Sequence, residues 1–465
     1  MAKNGFIKSI CLVLSLSSFG SQTSAYTLQE AVNYALSTSP DMLIETTTRE
    51  VADKQLRGAY AGFLPTLDLT AGWGEQFTNN ATTRDPPPFG DFGTTTLNRT
   101  EFNMLANQML FDGFAVYHDV QGRKARVMAE AWRVNGTAQD VSRDVMEAFL
   151  DVLRRKELVK LAKQNLATHE RIYGQIEKRS EGGVGSRADL DQVESRLAFA
   201  QTNLISEEAN LADAETEFLR RVGFPVPSYL EQPDYPSPFP ASEQEAVDLA
   251  LQNHPVLHAV TEDVAVSREA HKAAKAPFSP RMDLQLELSH NHNIDGSPGP
   301  SDDAQAMLRV RWNVFSGGKD LAKLCETAYQ MQEAQEVFYR ANRQVVQSIR
   351  VAWVTFSSAK RQLRYFKDHV DASVRTSQAY QKQFNIGQRT LLDLLDSENE
   401  LFNARMAYVN GQFTELTGMF RVLHAMGCLT ESLGAPLPKE AELKPLGLLD
   451  GTSRFFNKTT TLFDK

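Results

Sequence analysis

Hydrophobic and polar residues in this chain follow two different periods, and the two periods alternate in the same order twice. Over 66–78, Leu67, Leu69, Ala71, Trp73 and Phe77 share one side of a period-two pattern, with Thr66, Asp68, Thr70, Gln76 and Thr78 on the other. Further along, Met282, Leu284, Leu286 and Leu288 oppose Asp283, Gln285, Glu287 and Ser289. The neighbouring stretch sets Ala304, Ala306, Leu308, Val310, Trp312 and Val314 against Gln305, Arg309, Arg311 and Asn313. The segment from about 96 to 111 is the least regular, with Phe102, Met104 and Ala106 on its apolar side. Period two predicts strands with one apolar face. A polar face that includes Asp283, Glu287, Arg309 and Arg311 suits a transmembrane barrel with a wet lumen, although a soluble sandwich with one solvated face has the same alternation. Trp73 and Trp312 fit an interfacial belt or ordinary packing equally well. Four strands cannot close a barrel, and lipid does not tolerate an open sheet edge. Strands that span a membrane would therefore be pooled from several chains, two giving eight and three giving twelve, both even as bacterial barrels require.

The second period is seven. After each strand pair a long proline-free stretch begins, from Phe114 to about Glu181 and from Lys319 to about Phe384. At 1.5 Å per residue such a helix reaches roughly 100 Å. Glycines follow (Gly182, Gly183 and Gly185, or Gly387 alone), and helical sequence then runs back. Val145, Val152, Val159 and Leu166 line the first descending helix, and Leu190, Leu197, Leu204, Leu211 and Phe218 line its return. Leu395, Phe402, Val409, Leu416 and Leu423 make one row of the second return, beside Leu392, Asn399, Met406, Phe413 and Phe420. Seven-residue spacing imposes left-handed supercoiling on packed helices.

Landmarks recur in register. Gln29-Glu30-Ala31-Val32 with Pro40 returns as Gln244-Glu245-Ala246-Val247 with Pro255, and Phe63, Pro65, Asp68 and Leu69 return as Phe278, Pro280, Asp283 and Leu284, both at an offset of 215. Phe111 and Gly113 return as Phe315 and Gly317 at 204, and Gly185, Arg187, Leu190 and Asp191 as Gly387, Arg389, Leu392 and Asp393 at 202. The chain is a duplicated unit. The shift from 215 to 204 assigns about eleven extra residues to the first copy, most simply in the loop around Asp85-Pro86-Pro87-Pro88. The expected organisation is a signal peptide at 1–25 and a first repeat at 26–223, with a helix, a β-hairpin about 66–111 and a helical hairpin about 114–221. A proline-rich connector at 224–241 leads to a second repeat at 242–428, with a β-hairpin about 281–315 and a helical hairpin about 319–427, and then a tail at 429–465.

Composition narrows the function. The first 25 residues, with Lys3 and Lys8 around a short apolar centre and Thr23-Ser24-Ala25 at its end, read as a secretory signal. Ile10 stands before Cys11 where a lipidation site would have a small residue. A net charge of −9 without a Lys/Arg cluster excludes nucleic acid as the natural partner. No nucleophile motif or phosphate loop is present, so an enzyme is not expected and no cofactor is implied. His290-Asn291-His292 has metal-like spacing but lacks an evident third ligand, and no metal is expected. Cys325 and Cys428 lie far apart along the long helices, beyond disulfide reach.

The segment Phe384-Asn385-Ile386-Gly387-Gln388-Arg389-Thr390-Leu391-Leu392-Asp393-Leu394-Leu395-Asp396, with the duplicated proline and Phe-x-Gly landmarks, resembles the TolC-like family of outer-membrane channel-tunnel proteins over nearly the whole mature chain. The resemblance implies an α+β membrane protein: long coiled-coil hairpins and four transmembrane strands per chain, assembled as a homotrimer with a 12-stranded barrel and a 12-helix periplasmic tunnel. It implies a place in the outer membrane of a Gram-negative cell, a periplasmic adaptor and an inner-membrane transporter, expected to be of the ABC type, as partners, and an exported protein or drug as the passing substrate. By motif, Asp393 and Asp396 are the expected pore constriction, Arg389 a gate latch with Asp191 and Glu194 as the acidic side of its network, and Gly185 and Gly387 the hairpin-tip turns. Asp-x-x-Asp after a glycine turn also fits an ordinary helix N-terminus stabilised by the helix dipole. Phe384 and Leu190 replace polar residues of some members, so fewer polar bonds are expected to hold the gate. Asn107 to Phe114 and Gly183 to Gln192 resemble channels serving type I secretion of large adhesins, with multidrug efflux as the alternative. A periplasmic coiled-coil adaptor or scaffold is a second alternative, but it has no use for Arg309 and Arg311 opposite Leu308, Val310 and Trp312.

Overall fold

The computed structural model describes residues 26–84, 93–183 and 186–444. The signal segment 1–25, the loop around Asp85-Pro86-Pro87-Pro88, Gly185 and the end of the tail lie outside the described residues. The first copy opens with α1 (Leu28–Thr38), α2 (Pro40–Tyr60) and a 3-10 turn, followed by β1 (Thr66–Thr78), the single turn α3 (Ala81–Arg84) and β2 (Thr95–Phe111). Then come α4 (Ala115–Glu181) and α5 (Arg187–Val222). The second copy repeats the order with α6 (Glu243–Asn253), α7 (Pro255–Ala273), β3 (Arg281–His292), β4 (Pro300–Arg311), α8 (Lys319–Asn385) and α9 (Leu391–Met426), before a final turn α10 (Leu429–Ser432). The long helices match in length between copies, 67 residues for α4 and α8 and 36 for α5 and α9.

Local chemistry sets the breaks. Thr27 and Glu30 form a reciprocal capping box at the start of α1, the Glu30 N–H donating to Thr27 Oγ1 at 3.2 Å and the Thr27 N–H to Glu30 Oε2 at 2.9 Å. Pro40 and Pro255 each occupy the first position of a new helix, where the missing N–H is not needed. At the strand-to-helix corner, Gly113 has φ +70°, and a Cβ there would lie 2.6 Å from the Ala276 carbonyl oxygen, so only glycine fits.

The four strands form one antiparallel sheet in the order β1-β2-β3-β4, leaving the outer edges of β1 and β4 unpaired among the described residues. The sheet is inside-out by the standards of a water-soluble protein. On one face Trp73 is 81 % exposed, Leu308 61 % and Leu288 53 %, whereas Asp283 on the other face is fully buried. The irregular β2 has a bulge between Met109 and Phe111, which rephases the strand so that Phe111 pairs with Met282 on the apolar side. β4 ends at Arg311, so Trp312, Val314 and Phe315 follow the strand as an exposed apolar group where the sheet meets the helices. No described helix is long and apolar enough to cross a membrane. The apolar sheet face is an extended surface suited to hydrocarbon.

The helices carry the core. Val145, Phe149 and Val152 of α4 pack with Phe218 of α5 and Leu416, Phe420 and Leu423 of α9. A second cluster joins Val247 of α6, Ile349 and Phe356 of α8, and Val422 and Met426 of α9. Rows at seven-residue spacing thus become the buried seams of the hairpins. Cys325 and Cys428 are both free thiols.

Where α7 begins, the second copy has His254 in place of the first copy's Ser39. His254 Nδ1 accepts the Val256 N–H at 3.2 Å, which requires a neutral ring. The surrounding groups are His258, stacked on Trp132 with centroids 4.2 Å apart, and His424, whose Nε2 lies 2.8 Å from Asp140 Oδ1, with Arg143 beyond. Burial, with help from the nearby His424 and against Asp140, pushes the His254 pKa from 6.5 down to about 4. As pH falls through 6.5, an unfolded chain gains a proton here that the folded chain refuses until about pH 4. Stability should therefore decline across that window by up to about 3 kcal/mol. Replacing His254→Ser, which keeps a cap and removes the titration, should flatten the decline; denaturation midpoints in detergent from pH 7 to 4 measure it, and parallel curves for the two proteins would refute it.

Candidate functional site: the hairpin tips

The far ends of the two helical hairpins bring the motif residues together. α8 stops in a Schellman turn: Gly387 adopts φ +78°, its N–H donates to the Phe384 carbonyl at 3.0 Å, and the Gln388 N–H donates to the Gln383 carbonyl at 2.9 Å. Thr390 then caps α9 in a second reciprocal box. The Asp393 N–H donates to Thr390 Oγ1 at 3.2 Å, and Asp393 Oδ2 accepts from the Thr390 N–H at 3.2 Å and its hydroxyl at 2.8 Å. These bonds from Thr390, aided by the Arg389 guanidinium 3.8 Å away, hold the Asp393 carboxyl below the usual carboxylate range. Asp393 is therefore anionic throughout the neutral range. Both sequence readings of Asp393 are compatible, since a capping carboxylate at a tip still carries its charge toward whatever lies beyond.

One turn along, Asp396 accepts from Arg196 of α5 at 3.0 Å, tying the second hairpin to the first. A further turn on, Glu400 meets His369 Nε2 at 2.8 Å. Asp393, Asp396, Glu400, Tyr380, Ser373 and Thr376 line a groove of about 250 Å³ between α8 and α9. Arg389 stays within its own hairpin: its Nε donates to Gln383 Oε1 at 3.0 Å and its guanidinium lies 4.3 Å from the Tyr380 ring centroid. Asp191 and Glu194 are exposed on α5 and make no hydrogen bond or ion pair among the described residues. Arg389 and Asp191 are thus not joined within one chain.

Behind the charged residues lies an apolar cluster of Ile172, Ile176, Val193, Phe384, Leu391, Leu394 and Leu395, flanked by Tyr173 and Leu190. Phe384 is 6 % exposed, with the Arg179 guanidinium 4.8 Å from its ring centroid. The two residues that replace polar ones therefore contribute to a dry contact joining both hairpins. Sequence reasoning missed Arg196, Tyr380 and Gln383. A signal for Arg196 did exist, because its counterpart in the second copy is Glu398, a charge reversal between aligned positions. At the other end of the molecule, His290 Nδ1 is 2.5 Å from Asp302 Oδ1, and no group of three or more metal-type ligands occurs among the described residues.

Comparison with known proteins agrees with this geometry. The sequence profile of the outer membrane efflux protein family matches residues 31–223 and 246–415, one block for each copy. Outer membrane efflux protein BepC of Brucella suis is 25 % identical over 78 % of this chain and 78 % of its own length. Alkaline protease secretion protein AprF of Pseudomonas aeruginosa is 24 % identical over 87 % of this chain and 85 % of its own. Among solved structures, the CmeC outer membrane channel of Campylobacter jejuni superposes with a TM-score of 0.76 at 15 % identity, covering 93 % of this chain and 88 % of that one. The open-state MtrE outer membrane channel of Neisseria gonorrhoeae gives 0.70 at 17 %, covering 89 % and 90 %. With a profile match in both repeats, a lipid-suited sheet and paired helical hairpins, this chain belongs to the outer membrane efflux protein family, the TolC-like channels that serve as passive outer-membrane components of export systems.

Proposed function

We propose that three copies of this chain form the exit duct of a type I protein secretion machine, receiving substrate from an ABC-type inner-membrane transporter through a periplasmic adaptor. The observation that carries this reading is the sheet with an exposed apolar face and two unpaired edges. In hydrocarbon those edges must be paired, and three four-stranded sheets close as twelve strands, with the helical hairpins continuing below as a tunnel. A periplasmic adaptor or scaffold would leave that apolar face in water. The secretion assignment is supported by similarity to AprF, a protease secretion protein, over most of both chains. Similarity to BepC, an efflux protein, keeps multidrug efflux as the second reading.

At the tunnel end, Asp393 and Asp396 would gather as six carboxylates in a ring that favours cations and binds multivalent ones. Arg389 is the proposed latch toward a neighbouring hairpin. Asp191 and Glu194, which make no hydrogen bond or ion pair among the described residues, supply its acidic side, and Gly387 forms the tip turn of the second copy. Exposed pairs such as Arg196–Asp396 contribute about 0.2–1 kcal/mol each. Emptying the Phe384 site would remove about 3 kcal/mol or more. The resting tip is therefore held mainly by the dry cluster, and less by its salt links.

Three outcomes test these assignments. In planar bilayers, Asp393→Ala with Asp396→Ala should abolish single-channel block by hexaamminecobalt(III) added at the tunnel end; undiminished block would remove the constriction from these residues. Phe384→Ala should raise the resting conductance, whereas Arg196→Ala should change it far less, because the cluster outweighs the ion pair; equal effects would contradict that ranking. Deleting the gene should trap a large secreted protein in the cell while leaving drug tolerance intact, and the reverse phenotype would establish efflux.

A further inference from the structure

The sheet's polar face carries a second charged feature, at the end nearest the helices. Arg281 opens β3 and Arg311 closes β4, and the two are direct cross-strand partners. Like charges placed opposite each other are destabilising. Asp283 relieves the conflict: Arg281 Nε donates to its carboxylate at 3.0 Å and Arg311 at 2.8 Å. Asp283 is fully buried beneath them, while the Arg281 and Arg311 side chains remain 50 % and 63 % exposed. Arg309, the register partner of Asp283 on β4, is exposed and makes no hydrogen bond or ion pair among the described residues. Asp112 of the first copy accepts the Val116 N–H at 2.9 Å, and its charge also acts on Arg281. Three guanidiniums against Asp283 and Asp112 leave one net positive charge per chain in this cluster.

The cluster is a product of the duplication's asymmetry. At the repeat offsets, Arg281, Arg309 and Arg311 correspond to Thr66, Leu105 and Asn107, none of them charged, while Asp283 corresponds to Asp68. It is also confined in height. Two rows further from the helices the same face turns acidic, where Asp68 and Glu287 both pair with Leu105. Buried Asp283 fixes the direction of two arginines whose remaining donors face the polar side of the sheet, and Arg309 stands beside them without a partner. Guanidinium is the side chain best matched to carboxylate, which it meets through two parallel donors.

We propose that Arg281, Arg309 and Arg311 form an anion-binding collar at the base of the barrel, which engages the carboxylate side chains of an acidic polypeptide as it passes from tunnel to barrel. The collar rests on the trimeric barrel proposed above, because only closure into a ring sets three such clusters around one lumen. It gives the conduit two stations of opposite sign, the acidic tip and the basic barrel base, both built by the second copy.

The test uses a short oligoglutamate as the probe, added at the barrel end of single channels in a planar bilayer. Wild-type channels should show transient block that weakens steeply between 0.1 and 1 M salt, as the screening length shrinks from about 10 to 3 Å. Arg309→Gln should weaken block by about tenfold, equivalent to about 1.4 kcal/mol, and Arg309→Lys should largely restore it. Asp393→Ala with Asp396→Ala should leave oligoglutamate block intact, which separates the collar from the tip. If wild-type channels conduct and retain hexaamminecobalt block but ignore oligoglutamate, or if Arg309→Gln blocks as the wild type does, the arginines merely balance the acidic rows and the collar is overturned. If no channel forms, the trimeric reading fails together with it.

Discussion

A sheet edge in hydrocarbon has nowhere to send its N–H and C=O groups, and each one left unpaired costs several kcal/mol. This constraint governs the protein. β1 and β4 each have an outer edge unpaired among the described residues, and one face of the sheet exposes Trp73, Leu288 and Leu308. One chain by itself is therefore an incomplete object. Long helices in the same chain add a second demand: two 67-residue rods of roughly 100 Å need a continuous seam to stay together, and the heptad rows supply it. In the proposed trimer, strands that need other copies and helices that need close packing would be satisfied together.

Much of this fold is written in the residues because its two periods are so distinct. The alternation in β1, β3 and β4 separates the faces, and the repeat offsets locate each corner, including Gly113 and Gly387. β2 is harder to read because its bulge changes the phase of the pattern, so Gln108 and Phe111 fall on the same side despite differing parity. β4 stops at Arg311 although the alternation runs on through Val314, since apolar residues beside a membrane surface need not belong to a strand to be exposed. At the tip, Asp393, Asp396 and Arg389 stand out in the sequence, but their partners do not. Arg196 reaches Asp396 from a helix about 200 positions away, and Tyr380 meets Arg389 across a turn, contacts that depend on how the helices rotate about their seams. Phe384 and Leu190 were legible only as absent hydroxyl or polar groups. Burial turns Phe384 into a centre of cohesion, with Leu190 packed at its margin.

Duplication supplied each half with a strand pair and long helices of matching length, but the halves have drifted apart in their charges. In the first copy the tip carboxylates Asp191 and Glu194 make no hydrogen bond or ion pair among the described residues, whereas in the second Asp393 caps its helix and Asp396 holds Arg196. Where α1 gives way to α2, Ser39 marks the break, and where α6 gives way to α7 a titratable His254 does. In the barrel, Thr66 and Asn107 answer to Arg281 and Arg311. Geometry is shared because both copies must fit one tube. Charge is free to diverge because it lies on surfaces that the tube leaves open.

That freedom has a direction along the axis. Fixed carboxylates at the tip attract cations and repel a polyanion, while guanidiniums at the barrel base do the reverse. In the proposed trimer, an acidic polypeptide would meet repulsion at the tip and attraction at the barrel base. Beyond the proposed collar, Asp68 and Glu287 lie on the same polar face, where they would oppose tight retention of a carboxylate-rich segment. Conduction needs sites strong enough to enter and weak enough to leave. In the proposed trimer, alternating bands of charge would meet both conditions.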